Sequence, residues 1–176
     1  EVKIDSEDQH NIPGEILVHG EHVMQGYFKN EKATKDAIDK DGWLHTGDMG
    51  TIDPDGTLYI RGRCKTMILT GSGQNIYPEE IEDKLNNMPL VLESLVLEND
   101  GKLYGLVVPD FETCEKEGIS RAALEEMMKE NLKNLNSQVA AYERLVSISI
   151  YPSEFEKTPK KSIKRYLYNV SKLGIN

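Results

Sequence analysis

Three groups of residues in this chain have types and spacings that suit chemistry. Asp48 follows Thr46 and Gly47 at the end of an apolar run, and Arg63 closes the hairpin that begins just beyond. An ionised carboxylate can accept from two hydroxyl donors at once, whereas a guanidinium is a fixed fork of donors. Brought together, the two suit a ligand with vicinal hydroxyls. A second group is a basic run, Lys157, Lys160, Lys161, Lys164 and Arg165, in an otherwise acidic chain. The third is the glycine-bearing stretch TGSGQN, residues 70–75, in which Gly71 and Gly73 lack the following GK[ST] that a Walker phosphate loop requires. Each group has a plainer reading: Thr-Gly-Asp as a turn, the basic run as a solvated face, the glycines as a hairpin loop. His45 reads as a hydrogen-bonded structural histidine, and His10, His19 and His22 have no metal-ligand spacing.

Composition narrows the classes. The 176 residues suffice for one domain or two small ones, and 38% hydrophobic with 29% charged residues reads as soluble and globular. A net charge of −9 argues against a nucleic-acid partner, since phosphate contacts need a basic surface, but a few lysines with magnesium still suffice for ATP. Cys64 and Cys114 lack CxxC spacing, which points to structural thiols in a reducing, cytoplasmic setting. No apolar run approaches the ~20 residues of a membrane span. The chain starts without Met and in mid-motif, so we expect it to be a piece of a longer polypeptide.

The elements that must position these residues fall into two unlike halves. GEILVHG and HVMQGYF read as short strands, and NEKATKDAI as a helix capped by Asn30. Residues 43 to 62 give strand, DPDG turn, strand. Beyond Arg63, MILT and the glycine loop lead into a helix with Pro78 at its first position and Ile81, Leu85 and Met88 on one face. LESLVLE and KLYGLVV form a hairpin through Asn99, Asp100 and Gly101. Ser120 caps a longer helix striped by Leu124, Met127, Met128, Leu132 and Leu135, and RLVSISIYP is a strand. A final helix is expected from about Ser162, with Ile163, Tyr166, Leu167, Val170 and Leu173 on one face. Lys164 would then sit in its first turn, where the macrodipole disfavours a cation by roughly 0.3–1 kcal/mol, which suggests a role beyond local stability. The fold class is α+β, mostly β in the first half, with a short sheet flanked by helices in the second.

GEILVHGEHVMQGY, GWLHTGD, YIRGRCK, TGSGQNIYPEEIE and TPKKSIKRYL occur in an order that resembles the AMP-forming acyl-CoA synthetases of the adenylate-forming superfamily, most of all the long-chain fatty-acid CoA ligases. The resemblance implies that residues 1 to 64 are the end of the large N-terminal domain and 65 to 176 the mobile C-terminal domain. It implies that Asp48 and Arg63 bind the ribose of ATP, that Lys65 is the hinge, and that Gly73 or Gly71 lines the path of the coenzyme A arm. Lys164, with Lys161 as the alternative, would reach the α-phosphate and the acyl carboxylate. The glycine usual before that lysine is here Ile163. The phosphate loop, the acid pocket and the Mg2+ ligands are expected upstream, so the piece alone is expected to be inactive. Fatty acid, ATP and coenzyme A are the implied small-molecule partners, and peripheral membrane association of the longer enzyme stays open. Other readings are an adenylating enzyme for an aryl, short-chain or aminoacyl substrate, or a non-catalytic interaction domain of the same fold.

Overall fold

The computed structural model describes residues 1–174, in two compact units, Glu1–Met67 and a second that begins at Ile68. In the first unit, β1 (Val2–Asp5), β2 (Gly14–Val18), β3 (Leu44–Ile52) and β4 (Leu58–Arg63) form one antiparallel sheet in sequence order. The DPDG turn closes with Asp53 N–H donating to Thr57 O at 2.9 Å, and this register sets Ile52 opposite Leu58 and Asp48 opposite Arg63. Gly50 must lack a side chain, because a Cβ there would lie 2.5 Å from Tyr59 O. The helix α1 (Glu31–Ala37) starts at Asn30, whose side chain accepts from Ala33 N–H at 3.1 Å.

Residues 22–28 differ from the sequence expectation, for HVMQGYF forms no strand. The stretch is bracketed by Gly20 and Gly26 at φ +149° and +144°, and a Cβ on Gly26 would meet Thr34 at 2.7 Å. Its Tyr27 N–H donates to Thr34 Oγ1 at 2.9 Å instead of to a neighbouring strand. The first strand, β1, is not among the elements expected from the sequence and is set by its pairing with β2.

The second unit opens with a two-stranded hairpin, β5 (Ile68–Leu69) and β6 (Asn75–Ile76), and then α2 (Pro78–Asn86) with proline in its first turn. β7 (Val91–Asn99) and β8 (Lys102–Pro109) pair antiparallel through the Asp100–Gly101 turn. α3 (Phe111–Lys116), which the sequence reading missed, is capped by Asp110, and α4 (Arg121–Gln138) is capped by Ser120. These helices form the crossover that a parallel neighbour requires, and β9 (Leu145–Ile150) duly pairs parallel to β8.

Both faces of the β7–β8 pair are covered, so these strands carry apolar residues on both sides, whereas β9 alternates with Ser147 and Ser149 and leaves Val146 exposed. One face packs Val96, Leu103 and Val107 against Ile81 and Leu85 of α2 and Leu124, Met128 and Leu135 of α4. The other packs Leu95, Leu97, Leu106 and Val108 against Phe155, Tyr168 and Val170. Gly105 leaves room for the side chains of the neighbouring strand, since a Cβ there would lie 2.9 Å from Leu145 and 3.2 Å from Ile148 of β9.

The long final helix expected from Ser162 is absent. Residues 156–164 form a hairpin, followed by a 3-10 turn (Arg165–Leu167) and the four-residue α5 (Val170–Leu173). Lys164 N–H donates to Glu156 O at 2.8 Å, so the donor a helix would use is spent across the hairpin. Lys161 sits at φ +62°, outside helical space. The apolar periodicity was misleading because its residues divide: Ile163 and Val170 pack on the core, whereas Tyr166 is 78% exposed.

Candidate functional site

Asp48 and Arg63 are cross-strand partners, and Arg63 Nη1 donates to Asp48 Oδ1 at 2.7 Å. Their placement is built from below by the Thr46–Gly47 turn. Thr46 Oγ1 donates to Ile16 O at 2.8 Å and accepts from Asp48 N–H at 3.1 Å, and Gly47 takes φ +75°, which a side chain would resist. Gly47 O in turn accepts from Cys64 N–H at 2.9 Å. Arg63, Gly47, Cys64, Glu15 and His45 line a cleft of about 430 Å³, with Asp48 outside the lining. Burial, with the charge of Glu15, pushes the Cys64 thiol up, which favours its neutral form.

Glu15 is the residue that sequence reasoning missed. Its Oε1 accepts from Gly47 N–H at 2.9 Å, and its Oε2 meets His45 Nδ1 at 2.7 Å, which fixes the turn that presents Asp48. The signal was present in GEILV, a carboxylate on a strand whose neighbours are buried. His45 thus has the structural, hydrogen-bonded role expected of it.

Lys65 is exposed within the turn that follows β4, where Thr66 N–H and Met67 N–H both approach Arg63 O. The glycine loop is a β-hairpin turn. Thr70 N–H donates to Gln74 O at 2.9 Å, and Gly73 adopts φ +82°. A Cβ on Gly71 or Gly73 would meet nothing within 4 Å, so conformation alone demands glycine, and only at position 73.

The basic run lies along the 156–164 hairpin and its exit. Lys164 Nζ is 3.3 Å from Glu156 Oε2 on the opposite strand. Because no α-helix starts at Lys164, the macrodipole argument for that residue falls away. Lys160 and Lys161 are exposed at the turn, which closes with Lys161 N–H donating to Thr158 O at 2.8 Å. Lys157 and Arg165 are taken by carboxylates: Lys157 Nζ meets Glu93 Oε1 at 2.5 Å, and Arg165 pairs with Glu82 and approaches Glu79 at 3.6 Å. Burial raises the Glu82 carboxyl to about 7 even though Arg165 and the Val96 N–H, which donates to it at 2.6 Å, favour its charged form.

Comparison with known proteins identifies the family of the second half of the chain. The profile of the AMP-binding enzyme C-terminal domain matches residues 65–170. The chain belongs to this family. Relatives of this AMP-binding enzyme C-terminal domain include the 2-succinylbenzoate–CoA ligase of Bacillus cytotoxicus, 48% identical over 97 residues, covering 55% of this chain and 20% of that protein. The long-chain-fatty-acid–CoA ligase heimdall of Drosophila melanogaster is 37% identical over 140 residues, 78% of this chain and 21% of that protein. Among solved structures, the o-succinylbenzoate coenzyme A synthetase (MenE) of Bacillus subtilis, in complex with AMP, aligns with a TM-score of 0.72 and 28% identity over 94% of this chain and 32% of that one. The chain therefore spans about a fifth of the two curated relatives' length. Its fold and its membership of the AMP-binding enzyme C-terminal domain family agree with the resemblance read from the sequence.

Proposed function

We propose that this chain serves as the C-terminal portion of an AMP-forming acid–CoA ligase whose acid is a long-chain fatty acid. The observation that carries the reading is the Asp48–Arg63 pair, formed across β3 and β4 in a chain whose next residues match the AMP-binding enzyme C-terminal domain. In the first half-reaction the acid's carboxylate oxygen attacks the α-phosphorus of ATP, the α–β phosphoanhydride bond breaks, and pyrophosphate leaves. In the second, the sulfur of coenzyme A attacks the acyl carbon, the bond from that carbon to the bridging oxygen of the acyl–phosphate mixed anhydride breaks, AMP leaves with that oxygen, and the thiol proton is lost.

Each residue has a defined part in that proposal. The Asp48 carboxylate accepts from the ribose hydroxyls in both halves, and Arg63 orients it. A lysine offsets the repulsion between carboxylate and phosphate in the first half only. Lys164 is our assignment, and the exposed turn position of Lys161 favours that residue as the alternative. Lys65 is the hinge, for a few residues outside regular elements are enough to absorb such a rotation. The turn at Gly71–Gly73 meets the coenzyme A arm, with Gly73 the first choice. Magnesium would accompany the pyrophosphate. We place its ligands upstream of this chain, as the resemblance implies.

A second reading has a specific observation behind it: the 48% identity to a 2-succinylbenzoate–CoA ligase favours an aryl acid. ATP–pyrophosphate exchange by the longer protein, across fatty acids of graded length and aryl acids, decides between them. Exchange that grows with chain length supports the fatty-acid reading, and exchange confined to aryl acids overturns it.

A further inference from the structure

The five basic residues at 157–165 divide by partner, and two of them hold the feet of the hairpin that carries the rest. At the incoming foot, Lys157 is bound to Glu93 of β7 at 2.5 Å. At the outgoing foot, Arg165 is bound to Glu82, a buried residue of α2, with Glu79 of the same helix 3.6 Å away. Glu82 cannot swing freely, because its other oxygen accepts from Val96 N–H at 2.6 Å. Between the feet, the hairpin closes on itself through Lys157–Ile163 pairing, and Glu156 N–H donates to the Tyr168 hydroxyl at 2.7 Å. The helix so gripped, α2, is the one that follows the glycine turn.

We propose that Glu82–Arg165 and Glu93–Lys157 are positioning pairs that clamp the lysine hairpin to α2 and β7, so that the lysine segment and the helix behind the glycine turn move as one rigid body. This rests on the reading that a lysine of this hairpin serves adenylation. The physical basis is twofold. Charges withdrawn from water hold a geometry firmly only while both partners are present, and removal of one leaves a costly uncompensated charge. A lysine that must meet two anions needs to be placed to within about 0.5 Å, more tightly than an exposed hairpin can achieve unaided. The geometry of Glu82 agrees with this: it is buried, and the Arg165 guanidinium and the Val96 N–H occupy its two oxygens and favour its charged form against the cost of burial.

Amide hydrogen exchange on the 176-residue chain tests the clamp. Arg165→Met and Lys157→Met should each speed exchange across residues 156–168 by about tenfold or more, while β7, β8 and α4 keep their protection. Arg165→Lys should restore part of it. Unchanged exchange at 156–168, or equal acceleration through β7 and β8, overturns the proposal. In the longer ligase, Arg165→Met should slow acyl-adenylate formation by about tenfold or more, and leave thioester formation from synthetic acyl-adenylate within roughly threefold. Lys164→Ala and Lys161→Ala, assayed alongside, keep the two ideas apart. If neither slows adenylation, the lysine assignment fails and local exchange alone decides the clamp. If one does while Arg165→Met is normal, the positioning role is overturned.

Discussion

Single side chains in this molecule are held by short polar contacts whose loss has computable consequences. Gly73 is glycine for conformational reasons, so Gly73→Ala should destabilise the second unit by about 1 kcal/mol, whereas Gly71→Ala should leave it nearly unchanged. Urea denaturation of the two variants checks this, and equal effects would remove the conformational account. Glu82 sets a pH dependence. Its folded value is raised from 4.5 to about 7, so the folded state holds the proton more tightly. The stability from this group is then fully present below about pH 4.5 and is lost as pH rises through about 7, a contribution of ~3 kcal/mol. Asp8, Asp39, Asp55 and Asp110 are lowered by hydrogen bonds, and their contributions disappear only at more acidic pH. Unfolding free energies measured from pH 4.5 to 8 should therefore fall with pH in the parent chain, and Glu82→Gln should flatten that fall. A slope that survives Glu82→Gln would assign it to another group.

At the scale of elements, legibility in the sequence followed how far each segment's structure is decided locally. α2 and α4 were readable because proline, the Ser120 cap and a 3.6-residue stripe all agree, and their predicted faces are the buried ones. The β7–β8 hairpin was readable from its Asn-Asp-Gly turn. Asp48 and Arg63 were readable as a pair because the DPDG turn fixes their register. Where tertiary contacts outvote local pattern, the reading failed. The segment 22–28 is shaped by two glycines and Thr34, and 156–168 by ion pairs to α2 and β7 that no local period encodes. Glu15 was missed for the same reason, its partners being thirty and thirty-two residues away. The close packing of β9 side chains on β8 makes a further expectation. Gly105→Ala should cost about 1–3 kcal/mol by overpacking Leu145 and Ile148, as read from thermal unfolding. An unchanged melting temperature would show that these β9 side chains have room to yield.

At the scale of the whole molecule, the chain passes from its first compact unit to its second between Met67 and Ile68. Lys65 lies in the turn just before that passage, exposed and outside any strand or helix, three residues before Ile68. Lys65→Pro fixes one backbone angle there without removing a core contact. In the longer ligase it should impair one half-reaction much more than the other, and equal loss in both would count against a hinge at this position. The 176-residue chain by itself should catalyse no ATP–pyrophosphate exchange, because the groups proposed here act on a nucleotide held elsewhere as well.

The most direct measurement separates the two half-reactions in the longer enzyme by rapid quench. One arm follows acyl-adenylate formation from acid and ATP, and the other follows thioester formation from synthetic acyl-adenylate and coenzyme A. Asp48→Ala should slow both arms, because under the proposal its carboxylate holds the ribose in both half-reactions. Lys164→Ala should slow only the first, by about 10²–10³, as expected for removal of one preorganised charge contact. Normal rates for Asp48→Ala in both arms would contradict the nucleotide clamp on which the account rests, and a selective first-arm defect in Lys161→Ala with normal Lys164→Ala would move the lysine role to the hairpin's turn.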